Sequence, residues 1–305
     1  MKVIGLRSLV IGLSSSLASC LSGLLLGICS VGSCSAEASS TEANFAEASI
    51  DEQLKQAWAA HRAGRYAEAV RLATQAIEEQ SDNATAHLIR AQGYAAERDH
   101  ARAIVDCDRA IELDAALARA FYDRARSRFA TGDVAGSLRD FQHYIKLQPD
   151  AKSRLWENGI SLYYAGRYRE GAEQFALYQE AYPDDVENAV WRYLCMARNE
   201  DDGTDKARRE ILPIKNDQRV PMMEIYALYR GDAEPHNVLA AARAGNPSAK
   251  QLNKQLFYAH LYLGLYYEAQ GAGPLARKHL EIAAEKHKIG HYMWDVAVVG
   301  LKRLS

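Results

Sequence analysis

A spacing of 34 residues recurs through the first half of the chain, and it constrains the fold more than any other feature. Four similar turns begin 34 residues apart, at Gly64, Arg98, Gly132 and Gly166. A small residue precedes each turn by seven positions: Ala57, Ala91, Ala125 and Gly159. Another small residue follows each turn by five positions: Ala69, Ala103, Ser137 and Gly171. Several positions that agree on one period predict a single structural unit repeated along the chain.

The pattern within one period predicts a pair of helices joined by a short turn. Small residues in the middle of both helices allow close packing, and glycine tolerates the left-handed backbone of a helix end. Pro149 and Pro183 end the second helix of their units. One helical hairpin cannot bury its apolar face alone, so the units must stack into a solenoid. The period and these offsets resemble the tetratricopeptide repeat (TPR) family, which implies an all-α fold.

The repeat divides the chain into five predicted regions. Residues 1–36 read as a signal peptide or a membrane or lipid anchor, and residues 37–49 as a flexible tether. Residues 50–185 contain four TPR units, and residues 186–256 form an irregular helical segment. Residues 257–305 contain a C-terminal TPR and a capping helix. The predicted architecture is therefore a TPR-type helical-hairpin solenoid with an irregular helical insert, a C-terminal TPR and a capping helix.

The N-terminal segment predicts export. Lys2 and Arg7 precede an uncharged span over residues 8–36, in the order that a secretory signal requires. The sequences that end at Cys20 and at Cys34 both resemble bacterial lipoboxes, so both cysteines are lipidation candidates. An A-x-A-like site for signal peptidase lies at residues 36–38. Each of these three candidate processing sites predicts that the rest of the chain is periplasmic, membrane-tethered or lipid-anchored in a bacterial envelope.

The order of the parts carries a closer resemblance. A lipoprotein-like signal precedes regular TPRs, the segments over 155–164 and 182–185, an irregular region with the motif over 226–231, and a last TPR with the motif over 262–267. Over roughly residues 118–305 this order resembles the NlpI-type TPR lipoproteins of bacterial envelopes. The resemblance implies a homodimer attached to the outer membrane that acts as an adaptor for cell-wall hydrolases and a processing protease.

Composition and motifs argue against catalysis and against nucleic-acid binding. The formal net charge is −2, and the sequence contains no G-x-S-x-G, H-E-x-x-H or glycine-rich phosphate loop. His287 and His291 have the spacing of two metal ligands on one helix, but Gly290 interrupts that helix. Cys107 and Cys195 fall inside predicted helices and read as buried apolar residues. We therefore predict no catalytic residue, no metal and no cofactor.

The concave groove of the solenoid is the predicted protein-binding surface. In TPRs the second, fifth, ninth and twelfth residues of each unit face this groove. The selected residues at these positions are Trp58, His61, Gln92, Arg119, Tyr122, Arg126, Phe129, Trp156 and Tyr163. Aromatic residues interleaved with arginine are typical of binding hot spots. Burial between repeats is the competing interpretation, and it applies most strongly to Phe129 and Ile160.

Two functional hypotheses follow from this surface. The first is a non-enzymatic adaptor that binds protein partners, and the alternative is an assembly or structural factor for a membrane protein complex. An enzyme that uses TPRs for targeting would need a catalytic domain that the sequence does not indicate. A clamp for chaperone C-termini is rejected, because Leu54 and Trp58 stand where that clamp needs lysine and asparagine.

Overall fold

The computed structural model describes residues 50–304. The predicted signal segment, the tether over 37–49, and the lipidation candidates Cys20 and Cys34 lie outside the described residues. Among residues 50–304 every regular element is helical, which confirms the predicted all-α solenoid. No helix in this range combines the length and the hydropathy that a membrane crossing requires.

Four helical hairpins form the N-terminal part of the described chain. Their helices are α1 over 50–62, α2 Tyr66–Glu79, α3 Ala84–Ala96, α4 His100–Leu113, α5 Ala118–Thr131, α6 Val134–Leu147, α7 Trp156–Tyr164 and α8 Tyr168–Ala181. A short 3₁₀ helix, Pro149–Arg154, joins the third hairpin to the fourth. Each hairpin contacts the next one, as a solenoid requires.

Seven helices follow the regular hairpins. They are α9 Val186–Arg198, α10 Gly203–Arg209, α11 Met222–Arg230, α12 Pro235–Ala241, α13 Ala249–Ala269, α14 Gly273–Glu281 and α15 Tyr292–Arg303. The helices α13 and α14 pair as a hairpin, and a π-helical turn, Ile282–Lys286, leads from α14 towards α15. The irregular segment thus consists of short helices between two regular parts.

Close packing at a small residue fixes the register of the fourth hairpin. A Cβ atom at Gly159 in α7 would lie 2.6 Å from Cζ of Phe175 in α8, nearer than real contacts allow. A Cβ atom at Gly171 would lie 2.7 Å from Sγ of Cys195 in the next hairpin. Glycine at both positions therefore lets neighbouring helices approach, which is the role that the repeat pattern predicts.

The largest apolar cluster joins the C-terminal helices to the third and fourth hairpins. It contains fully buried aromatic side chains from five helices: Phe129, Tyr163, Trp191, Tyr229 and Phe257. Helix α15 adds Tyr292, Met293 and Val296 to the same cluster. Helix α15 contacts α14, where a capping helix was predicted, and it also contacts α5 in the third hairpin.

Candidate functional site

Helix α15 occupies part of the concave groove. The Tyr292 ring stacks on Phe129 with centroids 5.2 Å apart and meets Trp156 edge-on at 5.4 Å. The Tyr164 hydroxyl donates a hydrogen bond of 3.2 Å to the carbonyl oxygen of Val296. Phe129 and Trp156 hold the twelfth and fifth positions of their repeats, which face the groove in TPRs. The sequence predicts an open concave groove, but α15 of the same chain fills part of it.

Two of the predicted groove residues are buried by other helices of the chain. Phe129 and Tyr163 both have 0% exposure, and so does Ile160. Tyr163 packs edge-on against Trp191 of α9, with ring centroids 5.4 Å apart. The prediction that Phe129 and Tyr163 contact a partner is therefore wrong in this fold, because other helices of the same chain cover them. Both residues stabilise the core.

Six of the other seven predicted residues line three linked cavities. The first cavity has a volume of about 350 Å³ and is lined by His61, Gln92, Arg119 and Arg126. The second, of about 330 Å³, shares Arg119 with the first and adds Tyr122 and Trp156. The third, of about 220 Å³, shares Trp156 with the second and His291 with the first. We call these three cavities together the concave cleft.

Trp58 lies beside the cleft and does not line any of its three cavities. It is half-buried, and its ring meets His61 edge-on with centroids 6.0 Å apart. His61 in turn contacts the Tyr66 ring at 5.4 Å, and Tyr66 lines the first cavity. Trp58 thus supports the wall of the cleft through His61.

A polar network crosses the first cavity from α3 to α5. The buried carboxylate of Asp123 accepts hydrogen bonds from Gln92 Nε2 at 2.6 Å and from Arg119 Nε at 2.8 Å. Gln92 is only 5% exposed, and its Oε1 atom has no hydrogen-bond partner among the described residues. A buried acceptor without a donor is costly, so this atom marks a place where a ligand or a solvent molecule can donate.

Arg126 is the cation at the centre of the cleft. Its guanidinium carbon lies 5.6 Å from the centroid of the Tyr122 ring and 5.2 Å from that of Tyr292. It makes no ion-pair contact among residues 50–304, although Glu157 and Asp123 attract it electrostatically. The Tyr122 hydroxyl donates to Glu157 Oε1 at 2.6 Å, and burial raises the pKa of that carboxyl group. Glu157, which lies near Arg126, therefore already accepts a hydrogen bond from a tyrosine.

Arg98 links the second hairpin to α15 at the rim of the cleft. Its Nη2 atom lies 2.5 Å from Asp295 Oδ1, and its guanidinium carbon lies 4.4 Å from the centroid of the Trp294 ring. Burial raises the pKa of Asp295 to about 6, although Arg98 opposes this shift. Burial lowers the pKa of His100, which also lines the cleft, to about 4.

Sequence reasoning missed the residues that α15 and the second turn contribute to the cleft: Arg98, His100, His291, Tyr292 and Asp295. One signal was present for Arg98, because it stands where the other three units have a turn glycine. His291, Tyr292 and Asp295 could not be found, since a repeat pattern reports contacts between neighbouring units and α15 lies far along the chain. No such signal marked His100, which begins α4.

The histidine pair considered for metal binding is separated in the structure. His291 stacks on Trp156 with ring centroids 6.3 Å apart, whereas His287 stacks on His260 at 5.8 Å. In the described part of the chain no group of three or more histidine, cysteine or acidic side chains has a geometry that could hold a metal ion. Cys107 and Cys195 are both buried, and burial raises the pKa of each thiol.

Comparison with known proteins identifies the repeat class. Two tetratricopeptide repeat family models match residues 54–120 and 91–156. A tetratricopeptide repeat protein from Parabacteroides merdae superposes with a TM-score of 0.54 at 13% identity, over 84% of this chain and 98% of that chain. Residues 54–156 therefore contain tetratricopeptide repeats, and the structural neighbour has the same fold.

Two curated relatives each match about a third of the chain. Serine/threonine-protein phosphatase 5 of Homo sapiens is 36% identical over 110 residues, which are 35% of this chain and 22% of the relative. Hsc70-interacting protein 1 of Drosophila melanogaster is 34% identical over 101 residues, which are 33% of this chain and 27% of the relative. The chain thus spans about a quarter of the length of each of these relatives.

Proposed function

We propose that this protein is a non-enzymatic TPR adaptor that binds a segment of a partner protein in the concave cleft. The main support for this proposal is the concave cleft itself. Its three cavities follow the first helices of successive hairpins and are lined by aromatic and arginine side chains. Rigid aromatic rings lose little entropy on binding, and arginine pairs with carboxylates or stacks on rings. The cleft thus has the composition of a binding hot spot.

The partner binds beside α15 and does not replace it. Tyr292, Met293 and Val296 of α15 are 2%, 2% and 0% exposed. Burial of one large apolar side chain contributes about 1.5–3 kcal/mol, so removal of α15 would expose side chains worth several times that amount. A partner segment would have to recover this free energy before it gained any affinity. We therefore treat α15 as a fixed wall of the cleft.

Trp156 provides the test of the cleft as a binding surface. Proteins retained by the immobilised chain from bacterial envelope extracts would be identified, purified and titrated calorimetrically against Trp156→Ala. Loss of a hot-spot aromatic costs about 2 kcal/mol or more, so the affinity should fall roughly thirtyfold. Arg139, which is exposed on α6 and lines none of the three cavities, supplies the control Arg139→Ala. A loss with the control alone would contradict the proposal.

The proposal extends to the bacterial cell envelope. The basic and uncharged stretches at the N-terminus support export, and the order of repeats supports an adaptor of NlpI type with cell-wall hydrolases or a processing protease as partners. Membrane attachment through Cys20 or Cys34, and a homodimer, belong to the same proposal. The mass of the mature N-terminus tests export, because an intact Met1 on a cytoplasmic protein would contradict it.

A further inference from the structure

We propose that the cleft recognises one carboxylate group of its partner, and that Arg126 receives it. This inference rests on the proposed function, since it names the chemistry of the segment that the adaptor binds. The segment places a carboxylate against the Arg126 guanidinium and a backbone N–H group against Gln92 Oε1. The carboxylate comes from an acidic side chain or from the C-terminus of the partner, and the experiment below distinguishes these sources.

The first step is the charge balance of the first cavity. Its lining contains three arginines and two carboxylates. Arg98 pairs with Asp295 at 2.5 Å, and Arg119 pairs with Asp123 at 2.8 Å. Arg126 is the remaining cation. Glu157 and Asp123 attract it electrostatically, but Arg126 makes no ion-pair contact among residues 50–304, and Glu157 accepts a hydrogen bond from the Tyr122 hydroxyl. The Arg126 guanidinium is therefore left without a contacting carboxylate.

The second step is the hydrogen-bonding capacity of that cation. The guanidinium group carries five N–H donors in one plane, a geometry that matches a carboxylate in a bidentate pair. The rings of Tyr122 and Tyr292 attract the cation but supply no lone pair to its donors. A charge that is taken out of water without a partner is unfavourable, and an incoming carboxylate removes that penalty.

The third step concerns Gln92, which makes a protein segment a better ligand than a simple anion. Its Nε2 atom donates to Asp123, so the orientation of the amide is fixed and Oε1 must accept from elsewhere. Gln92 is 5% exposed and lines the same cavity as Arg126. A polypeptide carries N–H donors next to its carboxylates, whereas an inorganic anion lacks such a donor.

The fourth step is the size of the charge. Burial lowers the pKa of His61, and it lowers the pKa of His100 to about 4, so both rings are neutral near pH 7. The positive charges of the cavity are therefore its arginines, of which Arg126 alone lacks a contacting carboxylate among residues 50–304. Its volume of about 350 Å³ equals that of about twelve water molecules, which is room for one side chain and its backbone.

The site differs from a clamp for chaperone C-termini. Leu54 occupies the position where that clamp needs lysine, and Asp123 follows Arg119 where a second basic residue would be required. Arg126 instead sits one helical turn beyond Asp123, and α15 supplies part of its surroundings through Tyr292. The carboxylate site proposed here is thus built by the third hairpin together with the C-terminal helix.

An array of random ten-residue peptides tests the inference. Each peptide is displayed with a free or an amidated C-terminus, and the array is probed with the wild-type chain, Arg126→Gln, Arg126→Lys and the exposed control Arg139→Gln. We expect the wild type to enrich peptides with an acidic residue or a free C-terminus. Arg126→Gln should lose this preference and bind the best peptides at least tenfold more weakly. Arg126→Lys should keep part of it, and Arg139→Gln all of it.

The two arms of the array separate the sources of the carboxylate. Loss of binding on amidation identifies the C-terminus of the segment, whereas binding that survives amidation identifies an acidic side chain. If the peptides bind Trp156→Ala weakly but bind Arg126→Gln with the same affinity as the wild type, the carboxylate inference is wrong. The proposed function would still stand in that case. Peptides that ignore both changes, or an array without any bound peptide, would contradict the proposed function as well.

Discussion

Arg98 occupies a turn of the repeat and also contacts the C-terminal helix α15. Its backbone has a φ of 69°, in the left-handed region where Gly64, Gly132 and Gly166 lie at the equivalent turns. A residue with a Cβ atom pays about 1 kcal/mol or more for that conformation. The side chain compensates through its ion pair with Asp295 and its contact with the Trp294 ring. The strained position is therefore retained for a contact with α15.

Replacement of Arg98 by glycine and by alanine separates these two effects. Both changes remove the contacts with Asp295 and Trp294, but only glycine relieves the backbone. We expect Arg98→Ala to lower the free energy of unfolding by about 1–3 kcal/mol, since a buried carboxylate loses its charged partner. Arg98→Gly should be more stable than Arg98→Ala by about 1 kcal/mol. Urea unfolding measures both, and equal stabilities of the two variants would contradict this account.

The contact between α7 and α8 determines how tightly the fourth hairpin closes. The Cα atom of Gly159 faces the ring of Phe175, which is 1% exposed and has no room to move away. The two helices of this hairpin can therefore pack closely only because residue 159 is glycine.

A larger residue at Gly159 should destabilise the hairpin. We expect Gly159→Leu to lower the free energy of unfolding by about 1–3 kcal/mol, because an overpacked core forces neighbouring groups apart. Gly290 offers a control, since it is exposed and a Cβ atom there would have no neighbour within 4 Å. Gly290→Leu should change stability by less than about 0.5 kcal/mol. Similar melting temperatures for the two leucine variants would show that the register of the hairpin is wrong.

The stability of the whole molecule should fall in mild acid. His260 is 7% exposed, its Nδ1 atom lies 3.0 Å from that of His279, and burial lowers its pKa to about 4. An unfolded histidine has a pKa of about 6.5, so the unfolded chain binds the proton first as the pH falls. The contribution of neutral His260 is therefore complete above pH 6.5 and is lost progressively between pH 6.5 and about 4.

Substitution of His260 isolates this contribution. One such histidine changes the free energy of unfolding by up to about 1.4 kcal/mol per pH unit in that range. We expect His260→Gln to lose less stability than the wild type between pH 7 and pH 5 in urea unfolding. The exposed His236 provides the control His236→Gln, which should follow the wild type. An identical pH dependence of wild type and His260→Gln would refute the assignment.

The sequence predicts the parts of this molecule that depend on neighbouring residues and misses those that depend on distant ones. The period of 34 and its small residues predict the hairpins, because close helix contacts within a unit require glycine or alanine at fixed positions. The repeat pattern leaves burial open as an alternative for Phe129, but it does not reveal that α15 covers Phe129 or that α9 covers Tyr163. Export and lipidation remain predictions.

Hydrogen–deuterium exchange of the chain with its bound partner tests the central claim most directly. The account predicts slower exchange on binding in α3 and α5, whose residues Gln92 and Arg126 line the cleft, and little change in the outer helices α4 and α6. It also predicts that the amides of α15 exchange no faster than in the free chain, because α15 remains a wall of the cleft. Protection confined to α4 and α6, or faster exchange in α15, would contradict the account.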